Sequence, residues 1–263
     1  MVVTSATLVV WMMTIAQAVP ASPPVSLTAG WFVAAGAESQ SQRDISRGGP
    51  PVEASPVEWR GSGPSISLGY ERPGLRRLHR VTLDVSQARS FSYRGPVQSA
   101  RAATEDRLAR LEGRYEYRRY PLDDVFVRGL DLGVGVQGIG RHVRATRAAS
   151  AFGRQHNSEI SAAIACVAAA RIHRSARWSA DVEWVNGIAA SRARETLDVD
   201  PLADARRNGG GWLTDLSARV SIRLAERMAL NVSYLRTGEG TMVSHNAYAT
   251  SRERLAVGVT YAR

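Results

Sequence analysis

Residues 109–117 read Ala109-Arg110-Leu111-Glu112-Gly113-Arg114-Tyr115-Glu116-Tyr117, and they alternate without a fault. Arg110, Glu112, Arg114 and Glu116 fall on one parity; Leu111, Gly113, Tyr115 and Tyr117 fall on the other. A period of two is the signature of extended chain, whose successive side chains point to opposite faces. Residues 215–224 repeat it: Asp215, Ser217, Arg219, Ser221 and Arg223 against Leu216, Ala218, Val220, Ile222 and Leu224. Wound as helices, these segments would spread their charges around the axis. As strands, the two faces separate completely.

Ten such segments follow one another, at 25–35, 64–72, 77–90, 108–119, 126–140, 158–173, 178–187, 212–225, 228–236 and 253–262. The connections between them alternate in length. Those at 36–63, 91–107, 141–157, 188–211 and 237–252 are long; those at 73–76, 120–125, 174–177 and 226–227 are short. A soluble β-sandwich is the rival, but its core could not hold so charged a face, and the apolar face lacks large clusters of Phe and Ile. A closed barrel is the strand arrangement that spans lipid, because an open edge would leave backbone groups unpaired in hydrocarbon. The expected fold is therefore all-β: a closed, antiparallel transmembrane β-barrel of ten strands, with both ends on one side.

The amino terminus reads as an address. Residues 2–15 (VVTSATLVVWMMTI) are uncharged and mostly apolar, and Ala16-Gln17-Ala18 supplies a small-x-small cleavage site. This divides the chain into a signal peptide, 1–18, and a barrel domain, 19–263. No later stretch reaches 18 apolar residues, so no helix is expected to cross a bilayer.

Composition narrows the chemistry. The chain has 263 residues, 44% of them hydrophobic, a formal charge of +10 and one cysteine. A lone cysteine excludes an intramolecular disulfide framework and a multi-cysteine zinc site. All 34 basic residues are arginine, which excludes every lysine-dependent device, from the Walker lysine to the Schiff base. No cofactor is expected, and an exported chain with no folded recognition motif is not expected to bind nucleic acid.

The pattern resembles the small bacterial outer-membrane β-barrel proteins over essentially all of the mature chain. The resemblance is architectural and points to no single named family. It implies an outer-membrane location, lipid and lipopolysaccharide as surroundings, and the barrel assembly machinery as a partner during insertion. Members of that class typically end on an aromatic residue; here the last strand carries Tyr261 on its apolar face but ends on Arg263. Aromatic girdles are implied near the membrane interfaces, for which Trp31, Tyr70, Tyr115, Tyr117, Trp178, Trp184, Trp212, Tyr234 and Tyr261 are the candidates.

Assigning the polar parity to the interior puts nine acids there: Glu71, Asp84, Glu112, Glu116, Asp131, Glu159, Asp181, Glu183 and Asp215. Eight arginines join them: Arg80, Arg110, Arg114, Arg118, Arg171, Arg219, Arg223 and Arg254. So balanced an interior predicts an ion-pair network that plugs a narrow bore, with a narrow polar channel as the alternative. The surplus positive charge must then sit in loops. Loop 141–157 holds Arg141, Arg144, Arg147 and Arg154 and no acid before Glu159, which makes these four the candidate contacts for lipopolysaccharide phosphates. The 36–63 loop, rich in Ser, Gly and Pro, reads as a mobile connection.

Catalytic signals are thin. His173-Arg174-Ser175 resembles the His-x-Ser arrangement of outer-membrane lipid A deacylases, with His173 as base and Ser175 as nucleophile. That family needs its site lipid-facing near the outer leaflet, whereas loop order places these residues at a periplasmic turn. Ten strands also match the omptin proteases, whose site joins an Asp pair to an Asp–His pair. The nearest match, Asp198-Val199-Asp200, lies in a long loop with no His two residues after an Asp. Asp181 and Glu183 share a face, but pairing with arginine explains them. Cys166 falls on the apolar parity as a lipid-facing filler. The sequence thus favours a non-enzymatic, porin-like envelope scaffold with basic surface loops, with a lipid A hydrolase, an omptin-like protease or a narrow channel as alternatives.

Overall fold

The computed structural model describes residues 29–46, 57–74, 76–94, 107–122, 129–149, 153–175, 177–197, 205–243 and 246–262. Residues 1–18, expected to be the signal peptide, lie outside these, as do Asp198, Asp200 and His245. Ten strands follow in order: β1 (Gly30–Ser46), β2 (Val57–Gly74), β3 (Arg77–Arg94), β4 (Arg107–Leu122) and β5 (Leu130–Ala149). The second half comprises β6 (Gly153–Ser175), β7 (Trp178–Leu197), β8 (Ala205–Ala225), β9 (Met228–Val243) and β10 (Asn246–Ala262). Each pairs antiparallel with its neighbours in sequence, and β10 pairs with β1 to close the barrel. No helix among the described residues is long and apolar enough to cross a membrane; the strands do the crossing.

The register fixes the tilt. From Gly30 the perpendicular line runs through Glu71, Arg80, Glu116, Gln137, Ala165, Gly187, Leu213, Glu239 and Thr250, and returns to β1 at Gln42. Gly30 to Gln42 is a stagger of twelve residues. With ten strands it tilts each by about 40° from the axis.

The alternation sorts side chains as the pattern of residues 109–117 requires. Val33, Ile66, Leu83, Leu111, Val136, Ile164, Ile188, Leu216, Val232 and Val257 stand on the outer surface. Trp31, Tyr115, Trp184, Trp212 and Tyr261 join them there. Trp31 packs against Tyr70 with ring centroids 5.0 Å apart. Cys166 is exposed on this apolar face. So large an exposed apolar surface is stable only against lipid.

The strands overshoot the sequence-based segments, and this corrects the loops. Residues 36–46 and 57–63 of the expected mobile connection belong to β1 and β2, and residues 141–149 and 153–157 of the expected loop belong to β5 and β6. Residues 237–243 and 246–252 are likewise strand. Strands of 16 to 23 residues rise roughly 40–55 Å along the axis at this tilt, against an apolar band of about 25 Å. The wall therefore projects well beyond the bilayer.

Two glycines are dictated by close approach. A side chain at Gly69 would sit 2.2 Å from the Phe32 ring, which covers it. At Gly240 the Trp212 ring takes the same place, 2.3 Å from where a Cβ would be.

Candidate functional site in the barrel interior

The bore is filled by two tiers of charge. In the lower tier Arg80 reaches from β3 to Glu71 (2.7 Å) and Glu183 (2.6 Å), with Glu116 at 3.3 Å. Arg118, fully buried, bonds Glu116, lies 2.8 Å from Glu183, and donates to the Tyr120 hydroxyl at 2.9 Å. Arg219 grips Glu71 with both terminal nitrogens, at 2.5 and 2.9 Å. Arg171 bonds Asp181 at 2.8 Å and stacks over the Tyr120 ring. Four arginines face four carboxylates.

The upper tier centres on Glu112, which is fully buried. Arg114 and Arg141 each donate to it at 2.6 Å, Arg252 lies 3.3 Å away and Arg110 3.9 Å. Arg114 also reaches Asp215 (2.5 Å), Arg141 reaches Glu239 (2.6 Å), and Arg254 reaches Asp84 (2.6 Å). Glu38 lies 3.8 Å from Arg252 and accepts from Ser86 at 3.1 Å. Here five arginines, 110, 114, 141, 252 and 254, meet five acids, Glu38, Asp84, Glu112, Asp215 and Glu239.

Several of these bonds join strands that are not neighbours. Arg80–Glu183 ties β3 to β7, Arg114–Asp215 ties β4 to β8, Arg141–Glu239 ties β5 to β9, and Arg219–Glu71 ties β8 to β2. Guanidinium forks suit carboxylates in pairs, and several bonds to one charge offset the cost of taking it out of water. A cavity of about 120 Å³ remains between the tiers, lined by Arg80, Asp84, Arg114, Gln137, Glu183 and Asn231 among others. It is polar and large enough for several waters.

Of the interior candidates, Arg110, Glu112, Arg114, Glu116, Arg118, Asp181, Glu183, Asp215 and Arg219 meet in these tiers. Arg223 does not: it is exposed at the end of β8, where the polar parity runs out of barrel into solvent. Arg141 is the second correction. Expected on an outer loop, it lies inside β5, held by Glu112 and Glu239. Arg144 is exposed on the outer face of the same strand, while the side chains of Arg147 and Arg154 lie outside the described residues. Glu38, Glu239 and Arg252 are interior residues that the sequence reading did not include.

The expected His173–Ser175 pair sits at the end of β6 beside a register shift, and its side chains also lie outside the described residues. A different pair forms on the outer face: His142 Nε2 lies 3.0 Å from Ser158 Oγ. Nearby, His156 Nδ1 lies 3.3 Å from Thr146 Oγ1. Sequence spacing could not have found them, because the partners come from two strands. No group of three or more metal-ligating side chains gathers among the described residues.

No protein-family model matches the chain, and no curated protein sequence does. Its fold is nonetheless shared. The outer membrane protease OmpT of Escherichia coli superposes with a TM-score of 0.60 at 6% identity, covering 94% of this chain and all of that one. The translocator domain of the autotransporter NalP from Neisseria meningitidis gives 0.42 at 11% identity, over 88% of each chain. Neisserial surface protein A gives 0.34 at 13% identity, over 90% of this chain and all of that one. With its apolar outer surface and charged interior, the chain folds as a closed ten-stranded β-barrel, the fold seen in bacterial outer-membrane proteins.

Proposed function

We propose that this barrel is a non-enzymatic envelope scaffold whose outer wall holds the anionic headgroups of the outer leaflet, lipopolysaccharide phosphates foremost. One observation carries the proposal. Arg43, Arg60, Arg89, Arg107, Arg144 and Arg192 are all exposed and share the outward parity of their strands. Followed through the register, they come within about 4 Å of one another along the axis, roughly 3–9 Å above Ile160, Trp212 and Leu111. Six strands thus each present a guanidinium at one height, at the upper edge of the apolar surface. Phosphates crowd at that level, and arginine binds them through paired donors. The basic contact is a collar on the wall, with Arg144 its member from the expected loop.

The test replaces Arg43, Arg89, Arg107, Arg144 and Arg192 with Gln and measures lipopolysaccharide binding against ionic strength. Weaker binding with a flatter salt dependence supports the proposal. Unchanged binding by a barrel that still shows heat-modifiable mobility overturns it.

A second reading, an outer-leaflet acyl hydrolase, draws on the His142–Ser158 contact, which places a base beside a hydroxyl near the collar. Ester hydrolysis from phospholipid or lipid A that disappears in Ser158→Ala would establish it. The interior tiers belong to neither activity; they stiffen the wall and close the bore.

A further inference from the structure

Among the described residues, a charged pair interrupts the apolar surface on one side of the barrel. On the outer face of β9 and β10, Arg236 and Glu253 stand next to each other, Nε 3.6 Å from Oε1, with side chains 57% and 51% exposed. By register and tilt they lie about 15–20 Å above the level of Tyr261, inside the band that Leu111 and Trp212 bound elsewhere. At the same height β7 turns Asn186 outward and β8 turns Thr214 outward. The opposite wall carries Ile66, Val85, Leu111 and Ile164 there. A charged pair facing acyl chains is expensive, and lipid offers it no further hydrogen bonds.

We infer that this face is where a second copy of the chain docks, forming a two-fold dimer in the membrane. The charge pattern is self-complementary. A two-fold axis along the membrane normal, passing between Arg236 and Glu253, sets each arginine against the glutamate of the other barrel, about 3 Å apart in height. One exposed pair becomes a four-membered ring of alternating charge, shielded from lipid. The surroundings permit close approach, since Ala37, Ser39, Gly238 and Ser251 present little beyond backbone on that face. The contact is isologous and closes on itself, so association stops at two. This surface is separate from the arginine collar and does not depend on its role.

The experiment counts copies. Cys166 is the single cysteine and faces lipid on β6, away from this surface, so it takes one dye per chain. The full barrel is reconstituted at low density in vesicles of phosphatidylethanolamine and phosphatidylglycerol and photobleached spot by spot. Two-step bleaching is expected for the wild type, and one-step bleaching for Arg236→Glu and for Glu253→Arg separately. Mixing the two reversed barrels, each with its own colour, should restore two-colour spots, because one face is then wholly acidic and the other wholly basic. Restoration by mixing distinguishes a contact between barrels from the pair within one barrel. Heat-modifiable mobility confirms that each variant is folded, and Arg236→Gln with Glu253→Gln provides a milder pair. One-step bleaching of the wild type, or two-step bleaching that survives both reversals, overturns the dimer.

Discussion

Arg114 on β4 reaches across the bore to Asp215 on β8, with Nη1 2.5 Å from Oδ2, while its Nε donates to Glu112 on its own strand. One guanidinium thus bridges two buried carboxylates on different strands. Replacing it with leucine takes the arginine from Asp215 and one of four from Glu112, which keeps Arg141, Arg252 and Arg110. Arg114→Leu is expected to cost about 3–5 kcal/mol of barrel stability, read as a lower urea midpoint in detergent micelles. Arg114→Leu combined with Asp215→Leu should recover part of the loss. Equal stability of Arg114→Leu and wild type would mean the pair is not buried.

The two tiers should deny passage to ions. In planar bilayers the wild-type barrel is expected to show no stable, large single-channel current. Removing Arg80, Arg118 and Arg219 together, as alanines, takes three of the four cations from the lower tier and should raise the frequency of openings. A large steady conductance from the unmodified barrel would make it a channel.

Packing against glycine gives a local test. Gly69→Val places its Cβ in the Phe32 ring and 2.6 Å from the Val81 carbonyl oxygen, and should cost about 1–3 kcal/mol. Gly113→Ala meets nothing within 4 Å and should be tolerated. Thermal melts of the two variants, compared with wild type, decide this.

Cys166 reports on the lipid surface. Exposed and set opposite Val136 and Asn186 on neighbouring strands, it should react with a membrane-soluble maleimide and resist a charged, water-soluble one. Labelling by the charged reagent in intact vesicles would put β6 in the wrong environment.

What could be read from the sequence tracks where the environment has two unlike sides. Within the bilayer one face meets lipid and the other meets the bore, so residues 109–117 and 215–224 alternate cleanly and their strands are legible. Above it both faces meet water, and the contrast that marks a strand disappears. Residues 141–149 place Arg141 inward and Arg144 outward, yet as text they are simply basic. Glu38, Glu239 and Arg252 went unread because their outward neighbours, Ser39, Gly238, Gly240 and Ser251 among them, are small or polar and supply no apolar contrast. Arg223 shows the converse error, a parity extended past the end of the wall. The collar was also hidden, since its six arginines are scattered over 150 residues and only the stagger of the strands brings them level.

The cross-bore bonds have a consequence for how the barrel comes into being. Arg252 and Arg254 belong to the last strand made, and their partners Glu112, Asp84 and Glu38 sit on β4, β3 and β1. An unclosed sheet therefore carries Glu38 and Asp84 near its beginning without their arginines, and Arg252 and Arg254 at its end without these acids. Those charges are hydrated until the two edges meet, and they are neutralised in the same event that zips β1 to β10. A half-built sheet gains little from partial closure, because hydration is lost before the carboxylates find their arginines. Seam pairing and charge matching are thus one cooperative step, and the final strand acts as the key that commits the whole wall.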